Sequence, residues 1–502
     1  MSSSLSLTQP RLRSEAPRPG PSAARRPLWR RWWPWVVLGV LALSTLFVIV
    51  SDMRPSYDAF GFMVWGRQVL HWNLNTDGAP SFKPLPFLFT VPYAVAGRGQ
   101  MWLWMVTAVA GAVLGAVFAA RIAFRLTGAG GSRFAGPTGA GGGRFAGRYA
   151  PYVAGAFAGI GVLGINTLMH QVLIANSDAL IMAALLAAID CHLIRCHRLA
   201  FGMLVLASLG RPEAWVFAGL YGLWLMREMP TATTRLLVVA GLVVIPAFWF
   251  SIPALTSKSW FISGDLALNQ HTAIHGNKIV GVVNRFRSLY GLPMQLAWLV
   301  AIVLAALRRD RTTLVIVAAA GLWLAIEVAF AYHGWSAVSR YMIEPAAVMV
   351  AVAGGGIGWL LADTRTSRIL RWAGPVAVLA LLVALVPTAG SRVRLVRSQI
   401  SDARHSAHQI DRLHKVIDRD GGPDAIKACG QPVSLLGFQS TVAWFVGLNV
   451  GNVGYRPGKS IGRGDQIVLF KPHDNGWQVR LYNLPAPMKD RCGQLETDTD
   501  FG

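Results

Sequence analysis

The sequence predicts an all-α polytopic membrane protein of about eleven transmembrane helices, with a small α/β domain outside the membrane at its C-terminal end. Three observations carry this. Of the 502 residues, 53% are hydrophobic and only 14% charged, against roughly 25% charged in a soluble domain; mean hydropathy is +0.43. The apolar residues fall in continuous runs of about 18 or more, enough to cross a bilayer core, and not in the alternating segments of a membrane barrel. Residues 390–502 lose these runs and turn polar.

Charge placement agrees. The net charge is +23, from 47 Lys and Arg against 24 Asp and Glu. In a soluble chain that excess points to nucleic acid. Here the arginines cluster beside span ends, where anionic lipid and the positive-inside rule favour them. The expected partner is therefore the lipid bilayer and not nucleic acid.

Residues 1–33, rich in Ser, Pro and Arg, read as a disordered basic tail in the cytoplasm. No small-x-small cleavage site follows the apolar run 35–50, so this is an uncleaved first span. The outer loop 51–84 comes next. The apolar stretch 84–97, interrupted by Pro86 and Pro92, suits a helix in the membrane interface. Span two, 101–123, ends in Arg121 and Arg125. Residues 127–149 are Gly-rich, with no G-K-[ST] after them and no strand before, so they form a basic linker and not a phosphate loop. Spans three and four are 151–167 and 178–194. Short helices at 199–209 and 213–226 are separated at G-R-P-E, where Pro212 cannot donate within a helix.

The seventh span is 235–254, followed by an outer loop over 256–290. Spans at 291–307 and 312–331 are joined by a basic turn with Arg308, Arg309 and Arg311; the last two are 342–361 and 371–388. An odd count leaves the N-terminus cytoplasmic and the tail outside the plasma membrane. The expected division is a tail 1–33, a transmembrane domain 34–389 and an extracytoplasmic domain 390–502, the last with strand-like runs V-S-L-L-G-F and Q-I-V-L-F-K. Cys429 and Cys492 lie in that outer region, where a disulfide between them is compatible with an oxidising compartment. Cys191 and Cys196 flank a span end beside His192 and His197; Cys-x4-Cys is not a zinc spacing.

The loop 51–84 holds Asp52, Asp58, Arg67, His71, Asp77 and Lys83 in a chain poor in acids. Asp58, Phe62 and Trp65 share one helical face. A helix dipole alone favours a carboxylate at a helix start. With Asp52 and Lys83 in the same loop, acid/base work on a lipid-borne substrate is the stronger reading, and Lys83 can bind a lipid phosphate. Arg211 and Glu213 at the helix break either pair with each other or offer Arg211 to a phosphate. Arg340, beside Tyr341 at an outer span start, can clamp a leaving phosphate bidentately. Glu327, near mid-span, reads as a buried pairing group. His271 and His275 lack a nearby third ligand and read as loop residues.

The order of these features resembles the GT-C superfamily of polyprenyl-phosphate-sugar glycosyltransferases over residues 34–390. It runs from an acidic first outer loop through K-P-L before an interfacial helix, N-S-D opening a span and R-P-E-A between short spans, to S-R-Y-x-x-x-P opening a late span. The flavour is nearest the actinobacterial arabinofuranosyl- and mannosyltransferases. The resemblance implies sugar transfer from a polyprenyl-phosphate-linked donor to a cell-envelope glycan or lipid acceptor on the outer face, by one inverting displacement. It makes Asp58 the general base. The family often carries an acidic pair where this chain has Tyr57–Asp58, so Asp52 is the second candidate. Asp178 stands where a second acidic outer element sits in some members. It would orient the acceptor or hold a divalent cation, Mg or Mn; as a start-of-helix residue beside Ser177 it also suits a cap. No other cofactor is implied. A transporter or flippase of lipid-linked precursors is the alternative, but two related halves with matching broken helices are not visible.

Overall fold

The computed structural model describes residues 29–78, 80–132, 144–268, 272–362, 368–419, 421–473 and 476–495. The N-terminal tail to residue 28, the middle of the Gly-rich linker and His271 lie outside the described residues.

Each of the eleven apolar segments is a helix. The chain opens with α1 (Trp29–Ser51), the loop helix α2 (Tyr57–Leu70), α3 (Pro84–Tyr93) and α4 (Gly99–Ser132). It continues through α5 (Arg144–Leu163), α6 (Leu168–Leu173), α7 (Asp178–Leu193), α8 (His197–Gly210), α9 (Ala214–Glu228) and α10 (Ala232–Pro246). Short α11 (Ile252–Thr256), α12 (Ile262–Ala267) and α13 (Lys278–Arg287) lead to α14 (Leu292–Leu307), α15 (Arg311–His333), α16 (Ile343–Ala362) and α17 (Arg368–Arg419).

Among the described residues, six helices are long and apolar enough to cross a membrane, or seven if the bent pair α13–α14 is one span. The expected eleven counted every apolar helix as a full crossing. A 16-residue helix such as α7 is roughly 24 Å long, short of a bilayer core of about 30 Å. The long apolar helices make this a membrane protein. Their outer faces are apolar: Leu38, Leu41 and Leu46 of α1 and Leu379, Leu382 and Val383 of α17 are exposed, as lipid-facing side chains are.

The hub is α16, which packs on α4, α5, α14 and α15. Lipid tails are as apolar as Leu, so helices in a membrane associate through close backbone approach between small residues. The α16 sequence A-A-V-M-V-A-V-A-G-G-G-I-G supplies them. A Cβ on Gly354 would stand 2.7 Å from the Ala154 carbonyl oxygen, and one on Gly358 would strike the Thr127 side chain.

Helix α17 has 52 residues and is roughly 78 Å long. The boundary expected at 389/390 falls inside it. Its first half is apolar; its second half is polar and delivers Leu413, Val416 and Ile417 to a separate C-terminal core. That core contains α18 (Gly422–Cys429), β1 (Gln431–Ser434), α19 (Gln439–Val446), α20 (Pro457–Gly462), β2 (Ile467–His473), β3 (Gly476–Tyr482) and α21 (Ala486–Cys492). The sheet order is β1-β2-β3. Strand β1 runs parallel to β2, with Val433 opposite Leu469, and β2 antiparallel to β3, with Phe470 opposite Val479. The parallel pair needs a crossover, which α19 and α20 provide. A Cys429–Cys492 disulfide ties α18 to α21.

The loop helix α2 lies between the two cores. Phe60, Phe62, Met63 and Trp65 enter the large one, Val64 the C-terminal one. Phe60 meets Trp444 and Phe445 of α19, at 6.3 and 6.0 Å between ring centroids. The C-terminal domain therefore seats directly on the helix that carries Asp58.

Candidate active site

Two carboxylates at helix starts make distant ion pairs. The N-cap residues of α2 and α7 are Ser56 and Ser177, and neither side chain makes a capping hydrogen bond. Asp58, in the first turn of α2, accepts from Arg340 Nη1 at 3.2 Å. Arg340 sits on the turn Ser339–Met342 that opens into α16, with its guanidinium 5.4 Å from the Tyr341 ring centroid. Both partners are only part-buried, so the pair remains within reach of a ligand.

A second arginine lies deeper. Arg211 precedes Pro212 and is extended (φ −147°, ψ 133°), as proline demands of the residue before it. That turn ends α8 and aims the guanidinium inward. Its Nε donates to Glu344 Oε1 at 2.9 Å, and its Nη2 donates to Asp178 Oδ1 and, at 3.2 Å, to the Arg340 carbonyl. The Tyr341 ring covers it at 4.4 Å. Asp178 and Glu344 are 0% exposed and Arg211 3%. Glu213 stands 3.8 Å off, farther than either main partner. A buried charge must be paired and hydrogen-bonded. Arg211 meets this by binding α7 and α16 to the α8–α9 break.

No protein-family model matches the chain, and no curated protein matches it in sequence. Two solved structures are similar in fold. One is ArnT from Cupriavidus metallidurans bound to undecaprenyl phosphate, with TM-score 0.50 and 14% identity, covering 87% of this chain and 93% of that one. The other is the same protein in the apo state, with TM-score 0.51 and 14% identity, covering 88% and 93%. The chain shares the overall fold of these ArnT structures.

In this fold Lys83 is the N-cap residue of α3, its Nζ 6.0 Å from the Phe62 ring centroid. Its charge bears on Asp178, yet it makes no ion pair among the described residues. The helical face Asp58–Phe62–Trp65 is present as expected: Phe62 and Trp65 lie 6.0 Å apart, and Phe82 packs on Trp65 at 5.5 Å. Asp58, Arg340, Tyr341, Arg211 and Asp178 are thus brought together, with Lys83 beside them. Tyr57 is not a second acid. Burial, and then the Asp58 charge, push its hydroxyl well above the usual phenol range, and it lies 3.5 Å from Gln439 Oε1 of the C-terminal domain.

Asp52 is placed differently. Its carboxylate accepts from Arg54 Nη1 at 2.9 Å, and Arg54 also binds Asp411 of α17 through two hydrogen bonds. This ties the start of the loop to the C-terminal helix. Asp178 does not suit the divalent cation, Mg or Mn, that the resemblance left open. Its Oδ1 already faces the Arg211 guanidinium, and no group of three or more His, Cys, Asp or Glu side chains among the described residues could hold a metal ion. His192 and His197 both turn Nδ1 to the Tyr221 hydroxyl, at 3.0 and 3.3 Å.

Sequence reasoning missed Glu344. It lies inside the S-R-Y-x-x-x-P pattern as an unspecified position. The available signal was a carboxylate next to a proline at the mouth of an apolar span, where an ionisable group needs a partner. Glu327 of α15, expected as a buried pairing group, is 0% exposed and lies against the Glu213 carboxyl.

Proposed function

We propose that this protein is an integral membrane glycosyltransferase. It moves a sugar from a polyprenyl-phosphate donor to a cell-envelope glycan or lipid acceptor. The observation that carries the reading is the part-exposed pair between Asp58 of the loop helix and Arg340, with Lys83, which makes no ion pair among the described residues, beside it. It supplies one carboxylate next to two cations, which is what a single displacement at a sugar phosphate requires. The ArnT structure bound to undecaprenyl phosphate supports a lipid phosphate as the leaving group.

In this reading the donor phosphate lies between Lys83 and Arg340, the guanidinium binding two oxygens and the ammonium acting as a point charge. The acceptor hydroxyl attacks the anomeric carbon on the face opposite the phosphate. The new C–O bond forms as the C–O–P link breaks, the configuration inverts, and Asp58 takes the hydroxyl proton. The leaving polyprenyl phosphate carries the bonding pair away, and the two cations stabilise its added charge. Arg211 touches no substrate. With Asp178, Glu344 and Tyr341 it holds the Arg340 turn in place.

We assign the donor sugar as a pentose or hexose of the arabinofuranosyl or mannosyl type. The N-terminus is cytoplasmic and the C-terminal domain extracytoplasmic, in the plasma membrane. The Cys429–Cys492 disulfide supports this orientation, since such bonds persist in oxidising compartments. So do the arginines at 121, 125, 195, 198, 308, 309 and 311 on the inner turns.

The test is transfer by lipid-reconstituted protein with a panel of polyprenyl-phosphate sugars. Asp58→Asn should lower kcat by about 10²–10⁴-fold with folding intact. Full activity in that variant would remove Asp58 as the base. Lipid flipping without transfer would favour the transporter.

A further inference from the structure

The far end of α2 bears a second site. A cavity of about 320 Å³ opens between the last turn of α2 and the segment after α19, within the size range of small-ligand pockets. It lies ten residues along the helix from Asp58, roughly 15 Å, so it is separate from the Arg340 pair.

Its walls mix polar side chains with apolar surface, Leu448 included, and carry no carboxylate. Gln68, His71 and Asn73 come from α2 and the turn after it, Asn449 and Asn452 from the C-terminal domain. Arg67 also lines it, held in place by Nη1 and Nη2, which donate to the Trp444 and Ala443 carbonyls at 3.0 and 3.4 Å, and by the Trp444 ring, whose centroid is 5.0 Å away.

The remaining groups offer donors and acceptors in balance. His71 Nδ1 is 2.9 Å from the Arg67 carbonyl; a carbonyl only accepts, so Nδ1 holds a proton, and in the neutral ring Nε2 accepts. Gln68 is 4% exposed. Its Oε1 accepts from the Asn75 N–H at 3.1 Å, while its Nε2 has no partner among the described residues. A buried polar atom without a partner calls for one. The side-chain amides of Asn73, Asn449 and Asn452 likewise make no hydrogen bond among the described residues. Between His71 and Asn73 stands Trp72, 97% exposed and held at φ 53°. A large aromatic ring in that position costs hydration unless something covers it.

We propose that this cavity binds a neutral sugar unit of the glycan acceptor. Each hydroxyl both donates and accepts, which matches three uncommitted amides and one imidazole. Trp72, exposed next to the lining residues His71 and Asn73, would offer a flat apolar face to the C–H side of the ring. The pocket would hold an acceptor chain of several units while its reacting end reaches Asp58. This deepens the transferase reading and rests on it for the word acceptor.

Binding is measured without turnover. Full-length protein in lipid nanodiscs is titrated with a linear mannose oligosaccharide and a linear arabinose oligosaccharide by saturation-transfer NMR and Trp fluorescence, with inorganic phosphate as competitor. At least one sugar should bind at millimolar concentration or tighter and quench Trp fluorescence. The double variant Asn449→Ala/Asn452→Ala, with an unchanged melting temperature, should weaken binding roughly tenfold or more. Trp72→Ala should abolish the quench, and phosphate should not compete. Three results overturn the inference: no sugar binding at all, binding indifferent to the asparagines, or displacement by phosphate. Trp72 quenched by empty lipid and not by sugar would make it a membrane anchor and remove it from the site. Sugar binding without transfer from any donor would sink the transferase reading and leave the sugar site standing. Transfer without sugar binding would sink this inference alone.

Discussion

Arg340 and Asp58 form an ion pair, Nη1 to Oδ2 at 3.2 Å, between residues 282 positions apart. The pair joins the first loop helix to the start of the central span. In the proposed reaction a donor phosphate arriving beside Arg340 would compete with Asp58 for the same guanidinium. Displacement of the carboxylate would then free it to accept a proton, so substrate binding itself would release the base.

Arg340→Lys keeps the charge and loses the planar fork. Transfer efficiency, kcat/KM, should fall by roughly 10–100-fold, chiefly through KM for the donor. Asp52→Asn removes only a part-exposed partner of Arg54, with 42% of the Asp52 side chain accessible. A surface pair contributes up to about 1 kcal/mol, so its transfer rate should stay within about fivefold of wild type. Steady-state kinetics on the two variants separate the roles. Collapse of Asp52→Asn beside an active Asp58→Asn would move the base to Asp52.

Removing the Arg211 charge should be the most damaging change in the membrane core. Arg211→Met leaves Asp178 and Glu344 buried without their cation, a loss of about 3–5 kcal/mol. Glu344→Gln retains an acceptor for Arg211 Nε and should cost less, about 1–3 kcal/mol. Thermal melts of the purified variants should show that order even if Arg211→Met accumulates poorly. Equal stability of all three proteins would show that the cluster contributes nothing to folding.

The disulfide closes a loop between residues 63 positions apart. Cys429→Ser/Cys492→Ser should loosen the C-terminal domain by about 2–5 kcal/mol, seen as faster proteolytic release of that domain. The same chain reports its own orientation. Cys196 is free and part-exposed beside Arg195 and Arg198, on the turn proposed to face the cytoplasm. A membrane-impermeant maleimide should label it only after cells are permeabilised; labelling in intact cells would invert the topology.

The helices were legible because hydropathy is a local property. The apolar run of α16, the proline break at Pro212 and the loop helix from Tyr57 each declare themselves within a few turns of chain. Span counting was less secure. Hydropathy marks α7 and α8 as apolar without saying whether they cross the bilayer or are buried within the bundle, since both demands select the same residues.

The chemistry was legible as residue types and not as partnerships. Asp58, Lys83, Asp178, Arg211 and Arg340 stand out because ionisable groups at the ends of apolar helices are costly and need a use. Which arginine meets which carboxylate is set by the packing of α2, α7 and α16. Asp178 and Glu344 lie 33 and 133 residues from Arg211, separations on which local periodicity is silent. Glu344 went unnoticed for the same reason, and so did the pocket, which exists only where α2 and the C-terminal domain meet.

The sequence by itself therefore determined a basic, multi-helix membrane protein with a first loop rich in ionisable groups and a polar C-terminal domain. Composition and helix-length runs suffice for that, because the bilayer imposes them residue by residue. Only the tertiary structure decided that Arg340 pairs with Asp58, that Arg211 is enclosed by Asp178, Glu344 and Tyr341, and that the C-terminal domain seats on α2. Those outcomes depend on close helix approach through the small residues of α16, and an ion pair forms only where packing brings its two groups within a few ångströms.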